Sequence, residues 1–331
     1  MKLIAKIAKV LVLVLLLFFL VAGGWFWYNF IYLSNQRASL TPEDIETYVP
    51  PMSEQYYNVL LLGVDKEGMA DVIVLVSVNF FSDYIVLTSI SRDTFVENQN
   101  WAEAGTGASH LSFASYVGME HAKSKDYKVG AANAAYWVEE LFGVVIHDYA
   151  LITNDGFIDL IDLIGGVEID VNPAFAGKRI KLSATKVVSL PTGLQRLSGE
   201  QTLAFSRYRG DDEDSRIPET GSNHFDGDRM VRNQQLLKAI YQQLKSLKIS
   251  QVLGILKEMP KYVHTSVNLV DLTSMAPKLH RAQFNEIITI VIPGELVEVY
   301  EEKAGDYTNY FMVDFTLAND LLEGLGLIWD K

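Results

Sequence analysis

The sequence predicts a layered α/β domain built around a mixed β-sheet. Short apolar runs of strand length alternate along the chain with longer stretches in which apolar residues recur at helical spacing. Two of the short runs, 72–79 and 84–90, are separated by only four residues, which is the length of a hairpin connection. Because no boundary is visible after the N-terminal region, residues 55–331 are interpreted as a single domain.

The first half of that domain begins with strands and continues with helices. Strand 59–62 precedes the hairpin strands, and a stretch rich in Gly, Ala and Ser predicts a loop over 101–109. Helices are predicted over 131–142 and 157–164, because both stretches stop at glycine. Residues 167–171 then predict a strand.

The second half is marked by two helix starts. Ser198 and Gln201 have the spacing of a capping box, which opens a helix that runs into Arg207. A long helix is predicted from Asp226 or Asp228, because apolar residues follow at helical spacing. The remaining predicted elements are strands 287–292 and 311–315 and a closing helix over 317–325.

The N-terminal region predicts a membrane anchor. Residues 10–28 form an uncharged run of 19 residues, which is long enough to cross a hydrocarbon core of about 30 Å as a helix. The charged residues before the run are all lysines, so residues 1–9 are predicted to be cytoplasmic and the domain to lie outside. With the aromatic residues that follow, the anchor is predicted over 10–33, ahead of a polar stalk over 34–54. A cleaved signal peptide is the alternative, because small residues at 22–24 suit a cleavage site.

Composition disfavours several classes of function. The net charge of −13 argues against nucleic acid or anionic lipid as a partner of the bulk surface. The chain has no cysteine, so it is not a disulfide scaffold. Its six histidines lack the spacing of a zinc site. Nucleophile-elbow, Walker and dinucleotide-binding motifs are also absent from the sequence, which disfavours hydrolases and nucleotide-binding enzymes of those types.

Two aspartates flank the loop after the first strand. Asp65 follows that strand within Gly63-Val64-Asp65, and Asp71 precedes the next strand. Acids at strand ends of an α/β sheet lie where ligands usually bind, and two carboxylates across such a loop suit a hard cation such as Mg²⁺. Ordinary turn chemistry is the alternative, since Asp and Gly are both turn residues.

An Arg-Asp pair follows the third strand. Arg92 and Asp93 stand directly after it, so the pair offers one phosphate ligand and one possible general base. A local ion pair, worth less than about 1 kcal/mol, is the alternative.

Half of the arginines lie in one window, 207–232. That window holds five of the chain's ten arginines and seven acids, but no lysine. A guanidinium group binds phosphate or carboxylate oxygens two at a time, which an ammonium group cannot do. The window therefore predicts an anion site, with a network of surface salt bridges as the alternative.

Spacing within the window suggests two groups of anion ligands. Arg207 and Arg209 would point the same way on an extended segment. Arg229, Arg232 and Asn233 would share a face at the start of a helix, where the helix dipole favours anions. Alternatively, Asp226 and Asp228 cap that helix and the arginines pair with the acids at 211–214.

In their order along the chain, these motifs resemble those of the LytR–CpsA–Psr family, over roughly residues 55 to 325. The blocks that carry the resemblance are Leu60-Leu61-Leu62-Gly63-Val64-Asp65, Ser89-Ile90-Ser91-Arg92-Asp93-Thr94, Gly156-Phe157 to Gly165-Gly166-Val167-Glu168, Leu197-Ser198-Gly199-Glu200-Gln201-Thr202-Leu203-Ala204 with Arg207-Tyr208-Arg209, and Asp226-x-x-Arg229-x-x-Arg232.

The resemblance implies a three-layer α/β/α sandwich with a hydrophobic pocket for a polyprenyl tail, behind one transmembrane helix. It implies a phosphotransferase on the outer face of the bacterial membrane. Such an enzyme moves a glycopolymer, such as teichoic acid or capsular polysaccharide, from a polyprenyl-pyrophosphate carrier to a peptidoglycan hydroxyl. Two other functions stay open. One is a non-catalytic protein that binds the lipid-linked glycan in envelope assembly or regulation, and the other is a polyprenyl pyrophosphatase.

The resemblance also implies roles for individual residues. Asp65 and Asp71 would hold Mg²⁺ or Mn²⁺, and Asp93 would be the general base. Asp226 would orient the arginines, and the pyrophosphate ligands would be Arg92, Arg207, Arg209 and Arg229, with Arg232 and Asn233 predicted to complete the same site. The chain departs from the family pattern in Met69-Ala70-Asp71-Val72, where the usual arginine and threonine are missing, at Ser91 in place of proline, at Asn233 in place of glutamine, and in the long acidic segment between Arg209 and Asp226.

Overall fold

The structure, a computed structural model, describes residues 56–79, 84–97, 109–183, 185–208, 225–248, 251, 254–255, 258–267, 286–301 and 306–327. The predicted anchor 10–33 and stalk 34–54 lie outside the described residues, as does nearly all of the predicted loop 101–109. Within the described part of the chain, no helix is both long and apolar enough to cross a membrane.

Strands and helices alternate as the sequence predicts. The described strands are β1 (Tyr56–Val64), β2 (Ala70–Asn79), β3 (Tyr84–Ile90), β4 (Asp148–Thr153), β5 (Val167–Val171), β6 (Arg179–Lys181), β7 (Val187–Ser189), β8 (Gly193–Leu197), β9 (Val263–Thr265), β10 (Glu286–Val291), β11 (Gly294–Glu301) and β12 (Asp306–Val313). The described α-helices are α1 (Ala114–His121), α2 (Tyr127–Phe142), α3 (Asn154–Leu163), α4 (Gly199–Arg207), α5 (Phe225–Ser246) and α6 (Phe315–Gly324).

A mixed sheet of six strands forms the centre of the fold, in the order β10-β3-β2-β1-β4-β9. β1 is parallel to β4 and β10 is parallel to β3, whereas β2 runs antiparallel to both of its neighbours. The remaining strands form three two-stranded ladders, β11-β12, β5-β8 and β6-β7. The predicted α/β class with a mixed sheet is therefore confirmed.

Helices cover both faces of the sheet, because the strands alternate apolar side chains between two cores. Val59 packs into a core that includes side chains of α3, α4 and α5, whereas Leu60 packs into a core with α1, α2 and α6. The first core lies under the functional site described below. Small residues of α2, among them Ala131 and Ala134, pack into the second core.

Most predicted elements have their counterparts, and the differences have local causes. α2 begins four residues before the predicted start, because the side chain of Asp126 caps it by accepting from the Lys128 amide. The predicted strand 311–315 ends at Val313 instead, because Asp314 accepts from two amides and opens α6. β4 was not predicted, since it opens with the buried carboxylate of Asp148.

A histidine beside β1 makes stability depend on pH. The Nδ1 of His147 accepts from the Asn58 amide over 3.0 Å, and its ring lies 4.9 Å from that of Tyr57. Burial lowers the pKa of His147 to about 4, against 6.5 in the unfolded chain. The unfolded state therefore takes up a proton first as the pH falls, so the stabilisation is complete above pH 6.5 and is lost towards pH 4.

We expect the His147 effect in acid unfolding. Lowering the pH from 7 to 5 should reduce the free energy of unfolding by about 2 kcal/mol through this residue. In a His147→Gln variant, where glutamine can still accept from the Asn58 amide, that part of the pH dependence should disappear. Thermal unfolding across this pH range measures the effect, and exposed His121→Gln is the control. Equal pH slopes for the wild type and His147→Gln would contradict it.

Candidate active site

A bulge at the start of β2 positions the central carboxylate of the site. The β1–β2 ladder pairs Gly63 with Val72 and Val64 with Ala70, so Asp71 has no partner opposite it in β1. Bulges re-aim side chains and are frequent beside active sites. At this bulge the carboxylate of Asp71 meets arginines from three separate segments.

Asp71, Arg92, Arg207 and Arg229 form what we call the arginine cluster. The Nη1 of Arg92 donates to Oδ1 of Asp71 over 2.9 Å. Arg207 Nη2 lies 3.7 Å from Oδ2, and Arg229 Nη1 lies 3.8 Å from Oδ1. Three guanidinium groups thus converge on one carboxylate. Their fork geometry suits a phosphate or pyrophosphate group.

Arg92 and Asp93 lie in a tight turn directly after β3. The amide of Thr94 donates to the Ser91 carbonyl oxygen over 3.2 Å and its hydroxyl over 2.7 Å, which fixes the turn. Arg92 Nε lies 3.3 Å from Asp93 Oδ1 while its Nη1 reaches Asp71, so one guanidinium joins both carboxylates. Asp93 keeps 18% side-chain exposure, which leaves its carboxylate accessible to a hydroxyl group of a ligand.

Asp65 fixes the turn between β1 and β2. Its Oδ1 accepts from the amides of Glu67 and Met69 over 3.0 and 2.9 Å. Burial, followed by the negative charges of Asp65, Glu67 and Asp155, raises the pKa of Tyr127 in α2. The turn chemistry considered for Asp65 is therefore observed, and its role as a metal ligand stays a prediction. Among the described residues, no group of three or more His, Cys, Asp or Glu side chains is arranged to hold a metal.

The first turns of α5 contribute a buried guanidinium and two amides. Arg229 is 3% exposed and reaches Asp71, as its position on the helix face predicts. Asn233 lines a small pocket together with Asp71 and Arg229. Within the described structure, its buried Oδ1 has no hydrogen-bond partner. Gln234, which the sequence did not single out, donates through Nε2 to Ser89 Oγ over 3.0 Å and to the Ile290 carbonyl oxygen over 2.6 Å. It therefore ties α5 to β3 and β10.

Arg232 does not lie where the prediction of a pyrophosphate ligand placed it. Its side chain is 1% exposed, and its Nη2 donates to the carbonyl oxygen of Tyr208. Its guanidinium carbon lies 6.0 Å from the centre of the Phe175 ring, in a cation–π contact. One helical turn beyond Arg229 on α5, it contacts the residue that follows α4. It holds the backbone next to Arg207.

We expect Arg232→Lys to lower the free energy of unfolding by about 1–2 kcal/mol, since lysine lacks the planar fork that stacks on Phe175 while donating to Tyr208. The backbone after Arg207 should loosen, so the affinity for a polyprenyl-pyrophosphate ligand should fall as well. Thermal unfolding and binding of that ligand measure the two effects, with exposed Arg179→Lys as the control. Unchanged unfolding would show that the buried contacts of Arg232 contribute nothing.

Arg207 is the last residue of a helix, as the prediction of a helix that runs into Arg207 expected. The capping box at Ser198 and Gln201 forms as predicted, and α4 continues to Arg207 as its last residue. The chain becomes extended only at Tyr208. Arg209, the acids at 211–214 and the side chain of Asp226 lie outside the described residues. Their predicted roles stay predictions.

An apolar cavity of about 1460 Å³, counted to its open mouth, lies between the sheet and the helices α3 and α5. The sheet contributes Val74 and Leu87 to its wall, and the helices contribute Leu160 and Leu244. The lining also includes three members or neighbours of the arginine cluster, namely Asp71, Arg207 and Asn233. The cavity and the cluster are therefore one continuous site with an apolar part and a cationic part.

Comparisons with known proteins agree with this fold. The family model described as "LytR_cpsA_psr family" matches residues 31–324. "Biofilm regulatory protein A" of Streptococcus mutans is 25% identical over 68% of this chain and 53% of its own length. "Polyisoprenyl-teichoic acid--peptidoglycan teichoic acid transferase TagU" of Oceanobacillus iheyensis is 28% identical over 72% of this chain and 67% of its own length.

The chain thus spans between about half and two thirds of the length of these curated relatives. Among solved structures, TagV of Bacillus subtilis superposes with a TM-score of 0.60 at 20% sequence identity. The superposition covers 84% of this chain and 100% of the TagV chain. At that identity the likeness concerns the fold.

Proposed function

The chain belongs to the LytR–CpsA–Psr family, and from that premise we propose that it is a phosphotransferase of the bacterial cell envelope. Its donor is a glycopolymer, of the teichoic acid or capsular type, on a polyprenyl-pyrophosphate carrier. Its acceptor is a hydroxyl group of a peptidoglycan sugar. The name of the Oceanobacillus iheyensis relative, a polyisoprenyl-teichoic acid–peptidoglycan transferase, supports this choice of donor and acceptor.

The observation that carries the proposal is the continuity of the apolar cavity with the arginine cluster. A polyprenyl pyrophosphate has the same two parts, a long apolar tail and a polyanionic head. The cavity would bury the tail, which is stabilised by about 0.8 kcal/mol for each methylene group removed from water. The head would then lie at Arg92, Arg207 and Arg229, where guanidinium forks match phosphate oxygens.

The chemistry follows from the placement of Asp93 beside Arg92. Asp93 accepts the proton of the acceptor hydroxyl, whose oxygen attacks the phosphorus that bears the glycan. A bond from that oxygen to phosphorus forms, the pyrophosphate P–O bond breaks, and polyprenyl phosphate leaves. The arginines neutralise the negative charge that grows on the leaving phosphate, which is the main requirement of phosphoryl transfer.

A divalent cation belongs to the proposal, because the donor set fits Mg²⁺ or Mn²⁺. Mg²⁺ prefers carboxylate oxygens and is often held by only one or two of them, together with waters and substrate phosphates. Asp65 and Asp71 supply two such carboxylates on the two arms of the β1–β2 turn. Bound there, the ion would add positive charge next to the pyrophosphate.

We further propose that residues 10–33 anchor the protein in the cell membrane, with residues 1–9 in the cytoplasm and the domain outside. The donor lipid resides in the same membrane, so the anchor would hold the cavity near its substrate. The partners are then the lipid-linked glycan, peptidoglycan and the membrane, without nucleic acid.

The test uses the full-length protein in detergent with a polyprenyl-pyrophosphate glycan, peptidoglycan and Mg²⁺. We expect glycan linked covalently to peptidoglycan, and little of it with Asp93→Asn, which keeps the shape of the side chain but removes the base. Release of glycan phosphate without linkage would instead indicate a pyrophosphatase. Tight donor binding without turnover would indicate a binding or regulatory protein and would exclude both enzymes.

A further inference from the structure

The β11–β12 ribbon presents a side-chain face that belongs to neither core of the described residues. In its register Tyr300 pairs with Tyr307, Glu298 with Asn309, and Leu296 with Phe311, all on one face. Phe311 is buried at the base, but Leu296, Glu298, Tyr300, Tyr307 and Asn309 are all exposed. We call these five exposed residues the tyrosine face.

Backbone bonds join this ribbon to the catalytic turn. The amide of Phe311 donates to the Asp93 carbonyl oxygen over 2.7 Å, and the Phe95 amide donates to the Phe311 carbonyl oxygen over 3.0 Å. β11 also starts just after β10, whose end lies beside that of β3. The ribbon therefore begins at the same end of the strands at which Arg92 and Asp93 follow β3. Tyr307 lies four positions before Phe311, or about 13 Å along the strand.

The exposure of the tyrosines is larger than a structural role requires. Their ring centres lie 5.1 Å apart in an edge-to-face pair, which contributes to pairing of the two strands. Yet Tyr300 is 52% and Tyr307 is 61% exposed. A pair placed only to hold the ribbon would bury more of its apolar area, since the stabilisation is proportional to the area removed from water. Exposed aromatic clusters of this kind mark binding surfaces.

Resting on the proposed function, we propose that the tyrosine face binds the acceptor glycan and guides its hydroxyl group to Asp93. The C–H face of a pyranose ring is apolar and slightly positive, so it packs on the negative face of an aromatic ring. The Asn309 amide and the Glu298 carboxylate on the same face supply partners for sugar hydroxyl groups. Aromatic and polar side chains alternate here as a polyhydroxylated ring requires.

The negative charge of the ribbon favours the acceptor glycan as its ligand over the donor polymer or a membrane. Its two strands contain Glu295, Glu298, Glu301 and Asp306, and neither strand contains a lysine or an arginine. A phosphate-rich donor polymer and an anionic bilayer would both be repelled. An acceptor glycan without phosphate groups would not be.

The test compares the full-length wild type with Tyr300→Ala/Tyr307→Ala in the transfer assay, with soluble uncrosslinked peptidoglycan fragments as the acceptor. We expect the KM for the acceptor to rise about tenfold, with donor KM and kcat unchanged, because two stacking contacts are lost. Tyr300→Phe/Tyr307→Phe should keep most of the acceptor affinity. The matched control is Val299→Ala/Thr308→Ala, the adjacent cross-strand pair on the opposite face.

A second measurement separates this proposal from the proposed function. Sedimentation with insoluble peptidoglycan, without donor, measures glycan binding whether or not transfer occurs. Tyrosine-dependent sedimentation in a protein that transfers nothing would sustain the tyrosine face and overturn the transferase. Equal acceptor KM and sedimentation in the alanine variant and the control would overturn the tyrosine face. An increase in the KM for the donor alone would also overturn the proposal, because it would mean that the ribbon contacts the lipid-linked donor instead of the acceptor.

Discussion

Replacing Arg92 with alanine is expected to lower the rate of glycan transfer by about 10²–10³-fold, the usual effect of removing one donor that stabilises transition-state charge. Arg92 is the residue of the cluster that contacts both Asp71 and Asp93. Its loss would leave the leaving phosphate with one guanidinium fewer and the general base without its neighbour. Donor affinity should fall much less, because Arg207, Arg229 and the cavity remain.

The readout is kcat for linked product together with donor binding measured separately. Arg92→Lys should also be slow, because an ammonium group cannot span two carboxylates and a phosphate as a fork does. Arg179→Ala, an exposed arginine in β6, is the control and should keep the wild-type rate. A wild-type rate in Arg92→Ala would remove Arg92 from the mechanism.

The second large effect is expected from filling the cavity. Ala150 of β4 is 3% exposed and lines the apolar part of the cavity. Ala150→Leu adds three carbon atoms to space that the tail would occupy. Displacing about three methylene groups of the tail costs about 2.4 kcal/mol, or roughly 50-fold in Kd for the donor. Thermal stability should stay level or rise, since the added side chain fills an existing void.

The effect of Ala150→Leu should depend on the length of the donor's prenyl chain. A donor whose prenyl chain is too short to reach Ala150 should bind the variant as it binds the wild type, and only a long-chain donor should lose affinity. Ala122→Leu, at the exposed position directly after α1, adds the same atoms outside the cavity and serves as the control. Equal loss for both chain lengths would show that the cavity does not hold the tail.

The elements that sequence reasoning located well have strong local signals. Strands 84–90 and 167–171 were predicted with their observed bounds, and the capping box at Ser198 forms as expected. Turn residues and caps act within a few positions, so one segment of sequence contains the whole cause. β4 lacked such a signal, because its first residue, Asp148, is a buried carboxylate that accepts from hydroxyl groups of Tyr57 and Ser266.

The site was predictable in composition but not in arrangement. Asp71, Arg92, Arg207 and Arg229 were all identified from residue type and spacing, and the structure brings them together. Spacing alone could not separate Arg229 from Arg232, because their difference depends on Tyr208 and Phe175, which approach from other segments. The cavity was expected only from the family resemblance, because no pattern in the sequence itself indicates it. Its lining residues are of the same types as an ordinary core, and only side-chain geometry leaves space between them.

The two faces of the central sheet differ in how completely they are packed. One is closed by α1, α2 and α6, whereas the other retains the cavity under α5. Side chains around a cavity lack neighbours on one side and forfeit dispersion energy. A lipid tail in the cavity would supply those contacts and act as part of the hydrophobic core. Donor binding would then stabilise the layer that holds Arg229, and product release would reverse this effect. The protein would be most stable with its substrate bound.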